Sequence, residues 1–201
     1  MLTHRQAYGF PHFIIMTMNK PRHSFWASPV NAEYGWKEWC ENNNFRDTNA
    51  QIPVYLTVLK DCNIFAIESV KQLILPQTLN TVLFYDVGFS KLIDYNFLRN
   101  IGISAVELED ASIGHRFENQ YEISFNSWDC ESICFLDSKA IVEEHEPFFE
   151  ESLKSKSNRF TSLSDYIDNL IEKKDIEKLN IIMQRLLLIN KEIPSEELTN
   201  K

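Results

Sequence analysis

The sequence predicts an α+β protein that ends in a helical hairpin. Residues 1–146 of its 201 residues contain short aromatic and β-branched runs that do not alternate regularly between strand and helix patterns. That order favours α+β over a repeated βαβ arrangement. Beyond Pro147 the pattern changes to helical periodicity. We therefore expect one domain over residues 1–146 and a C-terminal helical appendage over residues 147–201.

Strands are predicted where short apolar runs are bounded by turn-forming residues. In chain order these are Phe13–Met18, Ser24–Ala27, Val54–Leu59, Asn63–Ile67, Ala105–Leu108, Tyr121–Phe125 and Ser132–Leu136. Helices are predicted where apolar side chains recur every three or four residues. In chain order these are Asn31–Glu41, Val70–Leu75 and Phe89–Asn100.

The C-terminal hairpin is predicted from two N-cap signals and an apolar stripe. Ser164 precedes a helix over Asp165–Lys173, and Asp175 precedes a helix over Ile176–Asn190. Both side chains are of a type that accepts a hydrogen bond from the first helical turn. The stripe of the second helix consists of Ile176, Leu179, Ile182, Met183, Leu186 and Ile189. It favours packing on the domain, and the alternative is an arm that binds a partner or dimerises.

The charge of the chain argues against some functions. The chain carries 20 basic and 29 acidic residues, a net charge of -9, and residues 147–201 hold 9 of the basic and 10 of the acidic ones. The acidity therefore lies in residues 1–146. An acidic surface disfavours non-specific nucleic-acid binding, which needs neutralisation of phosphates. No apolar run approaches the roughly 20 residues that cross a bilayer, so we expect a soluble, cytoplasmic protein without a membrane partner.

Several common sites have no support in the sequence. The five histidines form no HExxH or paired Cys/His spacing, so no metal site is expected. Neither GxGxxG nor GxxxxGK[ST] occurs, so a Rossmann fingerprint and a P-loop are not expected. Cys40, Cys62, Cys130 and Cys134 include no CxxC pair, and we interpret all four as reduced, mostly buried thiols.

The first candidate cluster runs from Lys20 to Pro29. A strand ends there at a small hydroxyl residue, Ser28, beside a basic turn. Such a strand end presents Ser28 to a cleft in which basic side chains meet phosphate. The alternative is that Ser28 and Pro29 only turn the chain and cap the next helix.

The second cluster runs from Glu33 to Cys40. Trp36 and Trp39 lie three residues apart on a predicted helix. This spacing usually indicates packing in the core. The alternative is that the two indoles wall a cleft for a flat ring.

The third cluster begins at Trp128, at the head of an apolar strand. A period of two places Asp129 and Glu131 on one side of the chain and Cys130 and Ser132 on the other. Two carboxylates on one face are costly unless they serve a ligand or meet a cation. The alternative is an exposed strand start with solvated acids.

In their order along the chain, the three clusters resemble the ADP-ribosyltransferase-like fold. The shared pattern is a basic or polar residue on a first strand, an aromatic-small-Ser strand end and an acid-x-Glu strand start. Here the second element is Phe25-Trp26-Ala27-Ser28-Pro29 and the third is Trp128-Asp129-Cys130-Glu131-Ser132. The resemblance covers roughly residues 1–143 and is to small transferase-like proteins of bacteria and their phages. It implies split mixed and antiparallel sheets with flanking helices.

The resemblance also implies that NAD is the substrate and assigns roles to single residues. Glu131 matches the catalytic glutamate, with Asp129 two residues before it. Ser28 matches the serine that supports the nicotinamide side of NAD. The Ser-Thr-Ser form of the family is replaced here by Trp26-Ala27-Ser28.

Further contacts to NAD are expected from Trp26, Ala27 and Trp36. The tryptophans are candidates for stacking on nicotinamide or adenine. The first-strand residue stays open between Arg5, which fits the arginine type of the family, His4, which fits the histidine type, and His12.

The function implied by the resemblance is mono-ADP-ribosylation of a macromolecule, with a protein as the favoured acceptor. The enzyme would be a toxin, an effector or a phage-encoded modifier. A carboxylate at Glu131 suits this reaction because it stabilises the positive charge that develops on the ribose. The alternative is a non-enzymatic acidic inhibitor or adaptor, such as a phage-encoded host-defence inhibitor, that binds a basic protein. A third interpretation is an immunity partner whose C-terminal helices dock into a toxin.

Overall fold

The computed structural model describes residues 4–8, 24–30, 32–45, 53–59, 61–68, 73, 79, 81–86, 91–109, 123, 125, 128–144 and 158–192. Within these ranges the chain forms a mixed eight-stranded sheet, a separate two-stranded sheet and four α-helices. The predicted α+β class is therefore confirmed. None of the helices in these ranges is long and apolar enough to cross a membrane.

Ten strands are described, in chain order β1 (His4–Tyr8), β2 (Phe25–Pro29), β3 (Pro53–Val58), β4 (Asn63–Ile67), β5 (Phe84–Asp86), β6 (Lys91–Ile93), β7 (Ala105–Leu108), β8 (Ser132–Phe135), β9 (Ile141–Glu144) and β10 (Asn158–Phe160). The α-helices of the same ranges are α1 (Trp36–Asn42), α2 (Tyr95–Asn100), α3 (Leu163–Glu172) and α4 (Ile176–Glu192). Short 3-10 helices lie at Thr81–Leu83 and Ser138–Ala140.

The large sheet has the strand order β10-β4-β7-β8-β2-β1-β3-β9. Strands β10, β4 and β7 run parallel to one another. All other neighbouring strands in this order run antiparallel. The strands β7 and β8 are buried at every residue, because the sheet is covered on both faces there.

Two buried apolar clusters cover the two faces of the sheet. Along β8, Ile133 and Phe135 belong to the smaller cluster, whereas Cys134 between them belongs to the larger one. The smaller cluster also contains Leu56 and Val58 of β3. The half of the sheet that holds β3 therefore curls over this face. The larger cluster receives side chains from α2, α3 and α4.

Strand β2 lies between β1 and β8 in the middle of the sheet. Its residues Phe25, Trp26 and Ala27 pair with Phe135, Cys134 and Ile133 of β8. On its other side, Pro29 and Ser28 pair with Arg5 and Gln6 of β1. The first strand, the Ser28 strand end and the chain that leads into β8 are therefore neighbours in space.

One arginine forms ion pairs with three carboxylates at the β10 edge of the sheet. Arg159 of β10 contacts Glu107 through Nε at 3.3 Å, Glu68 through Nη1 at 2.7 Å and Glu109 through Nη2 at 2.5 Å. Glu107 is a buried carboxylate in β7. A buried carboxylate needs a cationic partner, so this contact stabilises the docking of β10 against the parallel strands.

Several predicted elements agree with the structure. Strand β7 lies where it was predicted, and β8 ends one residue before the predicted end at Leu136. Strand β2 begins one residue after the predicted start at Ser24 and extends to Pro29. The strands predicted around residues 60 and 61 are β3 and β4, but they are not neighbours in the sheet. The turn between them carries the chain from one half of the sheet to the other.

The predicted helix over Phe89–Asn100 is wrong in its first half. Lys91–Ile93 forms β6, and α2 begins only at Tyr95. Asp94 separates the two elements, because its Oδ1 accepts a hydrogen bond from Phe97 N at 2.9 Å and caps the helix.

Other predicted elements are displaced or lie largely outside the described residues. The helix predicted over Asn31–Glu41 begins at Trp36. The strand predicted over Phe13–Met18 lies wholly outside the described residues. Of Val70–Leu75 only Leu73 is described, and it is helical; of Tyr121–Phe125 only Ile123, which bridges Lys91, and Phe125 are described.

A side chain at each N-terminus caps the two helices of the C-terminal hairpin. Ser162, not the predicted Ser164, caps α3, and its Oγ accepts from Asp165 N at 3.1 Å. Asp175 caps α4 as predicted, and its Oδ1 accepts from Lys178 N at 3.3 Å.

The hairpin packs on the domain, as predicted, through Leu179, Ile182, Leu186 and Ile189 of the predicted stripe. Ile176 and Met183 were wrongly included in that stripe, because both are exposed. Leu170 and Tyr166 of α3 and Ile182 of α4 belong to the larger buried cluster. The hydroxyl of Tyr166 donates to the Ile101 carbonyl, which lies just after α2. Arg185 of α4 contacts the capping residue of α2 as well, with Nη2 3.1 Å from Asp94 Oδ2. Residues 158–192 therefore share one core with the sheet.

A pair of neighbouring residues tests this shared core. Leu170 is 2% exposed and Ile171 is 57% exposed. Leu170→Ala is expected to lower the free energy of unfolding by about 2–4 kcal/mol, because it leaves a cavity. Ile171→Ala is expected to change it by less than about 0.5 kcal/mol. Urea denaturation of both variants measures the difference, and equal small effects would show that the hairpin is not part of the core.

Candidate functional site

Three consecutive backbone amides lie at the centre of the candidate site. They belong to Tyr34, Gly35 and Trp36, here called the 34–36 segment, which joins β2 to α1. Tyr34 N donates to Glu131 Oε1 at 3.2 Å, and Trp36 N donates to Ser28 Oγ at 2.8 Å. Gly35 N donates to Glu38 Oε2 at 3.0 Å. Each amide is thus held by a different side chain, and two of those side chains were predicted to be site residues.

Ser28 is buried at the end of β2. The residue is 4% exposed. Its hydroxyl accepts a hydrogen bond from the backbone N–H of Trp36, the first residue of α1. Its Oγ also lies 3.9 Å from Cys130 Sγ. The structure therefore shows the contact that the alternative interpretation of Ser28 required, a strand-end serine that caps the following helix.

Glu131 is half-buried immediately before β8. It makes two contacts with one residue of the 34–36 segment: the backbone Glu131 N donates to Tyr34 O at 3.0 Å, and its Oε1 accepts from Tyr34 N at 3.2 Å. This pairing fixes the backbone of Glu131 and the orientation of its carboxylate together.

Burial alternates along the chain that leads into β8. Asp129 and Glu131 are half-buried, whereas Cys130 and Ser132 are buried. This alternation agrees with the predicted period of two, although the strand itself begins at Ser132. Ser28 contacts the Cys130 side of the chain. Ser28 and Glu131 lie on opposite sides of this chain, and the 34–36 segment links them, because Ser28 accepts from Trp36 N and Glu131 accepts from Tyr34 N.

Gly35 allows this close approach of the chain. A Cβ atom at position 35 would lie 3.2 Å from the Cβ atoms of both Ser28 and Ala32. Such distances are tighter than ordinary van der Waals contacts. A larger residue at position 35 would push the segment away from Ser28.

Trp36 and Trp39 form a half-buried aromatic cluster on α1, together with Phe45. The two indoles stack with centroids 5.0 Å apart and an interplanar angle of 12°, and Phe45 packs edge-on against both. Phe45 is 52% exposed. The preferred interpretation of the two tryptophans as core residues is therefore wrong, because both lie outside the two buried clusters. They form an aromatic surface that begins two residues after Tyr34.

The other two predicted NAD contacts on β2 differ from each other. Ala27 is buried in the smaller cluster, opposite Ile133, so its side chain packs in the core. Trp26 is half-buried on the other face of the sheet and packs edge-on against Trp128, with ring centroids 4.5 Å apart. Trp128 in turn donates through Nε1 to the Tyr95 hydroxyl at 3.1 Å.

The candidates for the first-strand residue are described only in their backbone. Arg5 lies opposite Pro29 of β2 and Leu56 of β3, and His4 lies opposite Thr57 of β3. His12 lies outside the described residues. The choice among the three remains a prediction.

All four cysteines are buried, as predicted, and none of them is in a disulfide in this structure. Burial raises the pKa of the Cys130 thiol to about 11, although hydrogen bonds with Ser28 and Ser132 act in the opposite direction. Burial likewise raises the pKa of Cys62 to about 11. Nucleophilic thiols have a lowered pKa and access to solvent, so these two cysteines are suited to packing.

Two residues of the site, Glu38 and Tyr34, were given no role in the sequence analysis. Glu38 follows Gly35 by three residues, the spacing of a carboxylate that reaches back to the amide before a helix, so this local signal was available. Tyr34 carries no such signal, because its partner Glu131 lies 97 residues further along the chain. Within the described part of the chain, no three His, Cys, Asp or Glu side chains lie close enough together to hold a metal ion.

Replacement of Ser28 tests its structural contact. Ser28→Ala leaves the Trp36 amide without its acceptor at a buried position, so the free energy of unfolding is expected to fall by about 1–3 kcal/mol. Ser164→Ala, at an exposed serine on α3, serves as the control and is expected to change it by less than about 0.5 kcal/mol. Chemical denaturation measures both, and an unchanged Ser28→Ala variant would contradict the contact.

Because the thiols of Cys62 and Cys130 are buried, we expect the free energy of unfolding to fall at alkaline pH. The ordinary thiol pKa is 9.0, and those of folded Cys62 and Cys130 are about 11. Between these values the unfolded chain has lost protons that the folded chain keeps, so stability is fully present below pH 9 and falls as the pH rises towards 11. Urea denaturation across this range is expected to show a shallower fall for Cys130→Ala than for the wild type. Equal slopes would mean that the Cys130 thiol is not shielded from water.

No protein-family model, no curated protein and no solved structure matches this chain. The assignment of function therefore depends on the chemistry of the side chains around the 34–36 segment and on the resemblance of the three sequence clusters.

Proposed function

We propose that this protein transfers ADP-ribose from NAD to a macromolecular acceptor, with Glu131 as its catalytic carboxylate. The observation that carries the proposal is the convergence of Ser28 and Glu131 on the 34–36 segment. The ADP-ribosyltransferase-like pattern requires a first strand, a serine strand end and an acidic strand start to meet. The order β8-β2-β1 in the sheet supports that requirement.

We extend the proposal to the fold. The chain has a mixed sheet with flanking helices and a curled antiparallel half. These features are compatible with an ADP-ribosyltransferase-like core built from β1, β2, β3, β7, β8 and β9. The parallel strands β4 and β10 and the hairpin would then be additions at the edge of that core.

The reaction breaks the bond between the ribose anomeric carbon and the nicotinamide nitrogen. Its electron pair leaves with nicotinamide, and a nucleophile of the acceptor forms the new bond to the same carbon and loses a proton. Positive charge develops on the ribose in between, and a fixed carboxylate stabilises this charge more strongly in the transition state than in the ground state. Glu131 suits this role because Tyr34 N already fixes one carboxylate oxygen.

The remaining predicted residues divide into contacts and supports. Trp36 is half-buried, follows Tyr34 by two residues and stacks on Trp39; in this proposal its indole also stacks on a flat ring of NAD. Ser28 is a positioning residue in this proposal, because its hydroxyl acts through the Trp36 amide. The side chain of Ala27 is excluded from the NAD contacts by its burial. Asp129 is half-buried two residues before Glu131, and in this proposal it is the second carboxylate of the catalytic site.

One observation favours a second candidate function. The Ser28 hydroxyl is buried and bonded within the protein, so NAD would lose the contact that the resemblance assigns to it. A scaffold of this kind with a net charge of -9 suits an acidic inhibitor or adaptor that binds a basic protein. This candidate predicts no NAD consumption and an association with its target that weakens as salt is added.

Glu131→Gln tests the enzyme directly. The amide side chain keeps the size and one oxygen of the carboxylate but lacks its charge, so release of nicotinamide from NAD is expected to fall by at least about 100-fold. Glu172→Gln, at an exposed position on α3, is the charge-matched control and is expected to retain full activity. Nicotinamide release is followed by chromatography.

The melting temperature of both variants shows whether each is folded. A folded Glu131→Gln variant with wild-type activity would overturn the assignment of Glu131. If the wild-type protein releases no nicotinamide at millimolar NAD in the presence of basic proteins as acceptors, the function of an acidic binding protein is favoured instead.

A further inference from the structure

We propose that the outer face of the Trp39 indole binds an arginine-bearing segment of a partner protein. Trp39 is the member of the α1 aromatic cluster to which the proposed reaction gives no contact with NAD. The inference does not depend on the proposed transferase activity, because an adaptor for a basic protein would use the same surface. It concerns where a partner docks and not which of its residues would be modified.

The aromatic cluster covers only one face of the Trp39 indole. The rings of Trp36 and Trp39 are nearly parallel, at 12°, with centroids 5.0 Å apart, so each covers one face of the other. Phe45 packs edge-on against Trp39, with centroids 5.3 Å apart. Within the described part of the chain, Trp39 has no other ring partner and no cation over its ring. The second face of this half-buried indole therefore suits a flat cationic group.

Two carboxylates lie side by side at the start of the same helix. Glu38 Oε2 accepts a hydrogen bond from Gly35 N, and Glu131 Oε1 accepts from the neighbouring amide, that of Tyr34. Trp39 N in turn donates to Gly35 O at 3.0 Å, so the indole begins one helical turn from these carboxylates. Among the described residues neither carboxylate forms an ion pair. Neighbouring carboxylates repel each other, and a cation from a partner offsets that repulsion.

Charge selects a basic segment as the occupant. Residues 32–45 contain Glu33, Glu38 and Glu41 and a single cationic residue, Lys37. The Lys37 ammonium lies 4.0 Å from the Glu41 carboxylate, so the other two acids keep their full charge. The whole chain has a net charge of -9. A basic segment is therefore attracted by the local carboxylates and by the field of the molecule, whereas an acidic partner or a second copy is repelled.

Arginine suits this surface better than lysine. A guanidinium is planar, weakly hydrated and always charged, so it stacks on the face of an indole, whereas an ammonium is a compact and strongly hydrated charge. Its N–H groups point outwards in the plane and still donate to carboxylates while the face is stacked. In the proposed complex one guanidinium lies on the outer face of Trp39, and a neighbouring basic side chain of the same segment meets the carboxylates at the start of α1.

Calorimetric titration of the full chain with short peptides tests the inference. The probe is a peptide in which arginine alternates with glycine, and the comparison peptides carry lysine or glutamate in place of arginine. The arginine peptide is expected to bind with a dissociation constant of about 10–100 µM and about threefold more tightly than the lysine peptide. Binding is expected to weaken as NaCl is raised from about 0.05 M to about 0.5 M, because salt screens the attraction. The glutamate peptide is expected not to bind.

Paired variants locate the docking surface. Trp39→Leu keeps an apolar side chain but removes the ring, so the arginine peptide is expected to bind about fivefold more weakly. Tyr85→Leu, at an exposed aromatic residue of β5, is the control and is expected to bind within about twofold of the wild type. Glu38→Gln keeps an oxygen for Gly35 N but lacks the charge, and is expected to weaken binding about threefold. Glu172→Gln, exposed on α3, is its control and is expected to leave binding unchanged.

Three results would overturn the inference. The first is a wild-type protein that does not bind the arginine peptide at about 1 mM. The second is a folded Trp39→Leu variant, identified by its melting temperature, that binds as tightly as the wild type. The third is equal binding of the lysine peptide, which would leave charge alone and no stacking. Should Trp39→Leu not fold, the lysine peptide and Glu38→Gln decide in the same way. None of these measurements involves NAD, so a failure here is distinct from a failure of the proposed transferase.

Discussion

The site depends on how the chain satisfies three neighbouring amides where β2 leads into α1. An amide that is withdrawn from water and left without an acceptor is costly. Ser28, Glu38 and Glu131 supply one acceptor each. One of these residues comes from the preceding strand, one from the helix itself and one from the chain before β8. The 34–36 segment therefore connects β2 and α1, its neighbours in sequence, with the chain before β8, where Glu131 lies 97 residues beyond Tyr34, and it fixes Glu131 in the process.

The chemistry of the proposed site follows from that constraint. A carboxylate contributes to catalysis when it is already oriented before the charge on the substrate develops, because it then needs no reorganisation. The Tyr34 contacts orient Glu131, and the stacked indoles of Trp36 and Trp39 follow directly along the chain. Ser28 contributes indirectly, because its hydroxyl binds the backbone amide of Trp36. This changes its role from a contact with NAD, as implied by the resemblance, to support of the residues that make such contacts.

The fold class and the central strands could be predicted from the sequence, because β7 and β8 are short, mostly apolar runs, each with a single polar residue, Glu107 and Ser132. The stretch Phe89–Asn100 could not, since its apolar spacing fits a helix throughout and only the cap at Asp94 separates strand from helix. The half-exposed position of Trp36 and Trp39 was also missed, because a spacing of three residues does not distinguish a core-facing pair from a pair that stacks on the surface. The partnership of Tyr34 with Glu131 depends on the order of strands in the sheet, which no local pattern contains.

Amide hydrogen exchange of Tyr34, Gly35 and Trp36, measured residue by residue by NMR, tests the central constraint most directly. The account predicts that all three amides are protected, that Glu131→Ala speeds exchange selectively at Tyr34, and that Ser28→Ala speeds it selectively at Trp36. Exchange of these amides at the rate of an unstructured chain, or an identical response of all three to both variants, would contradict it.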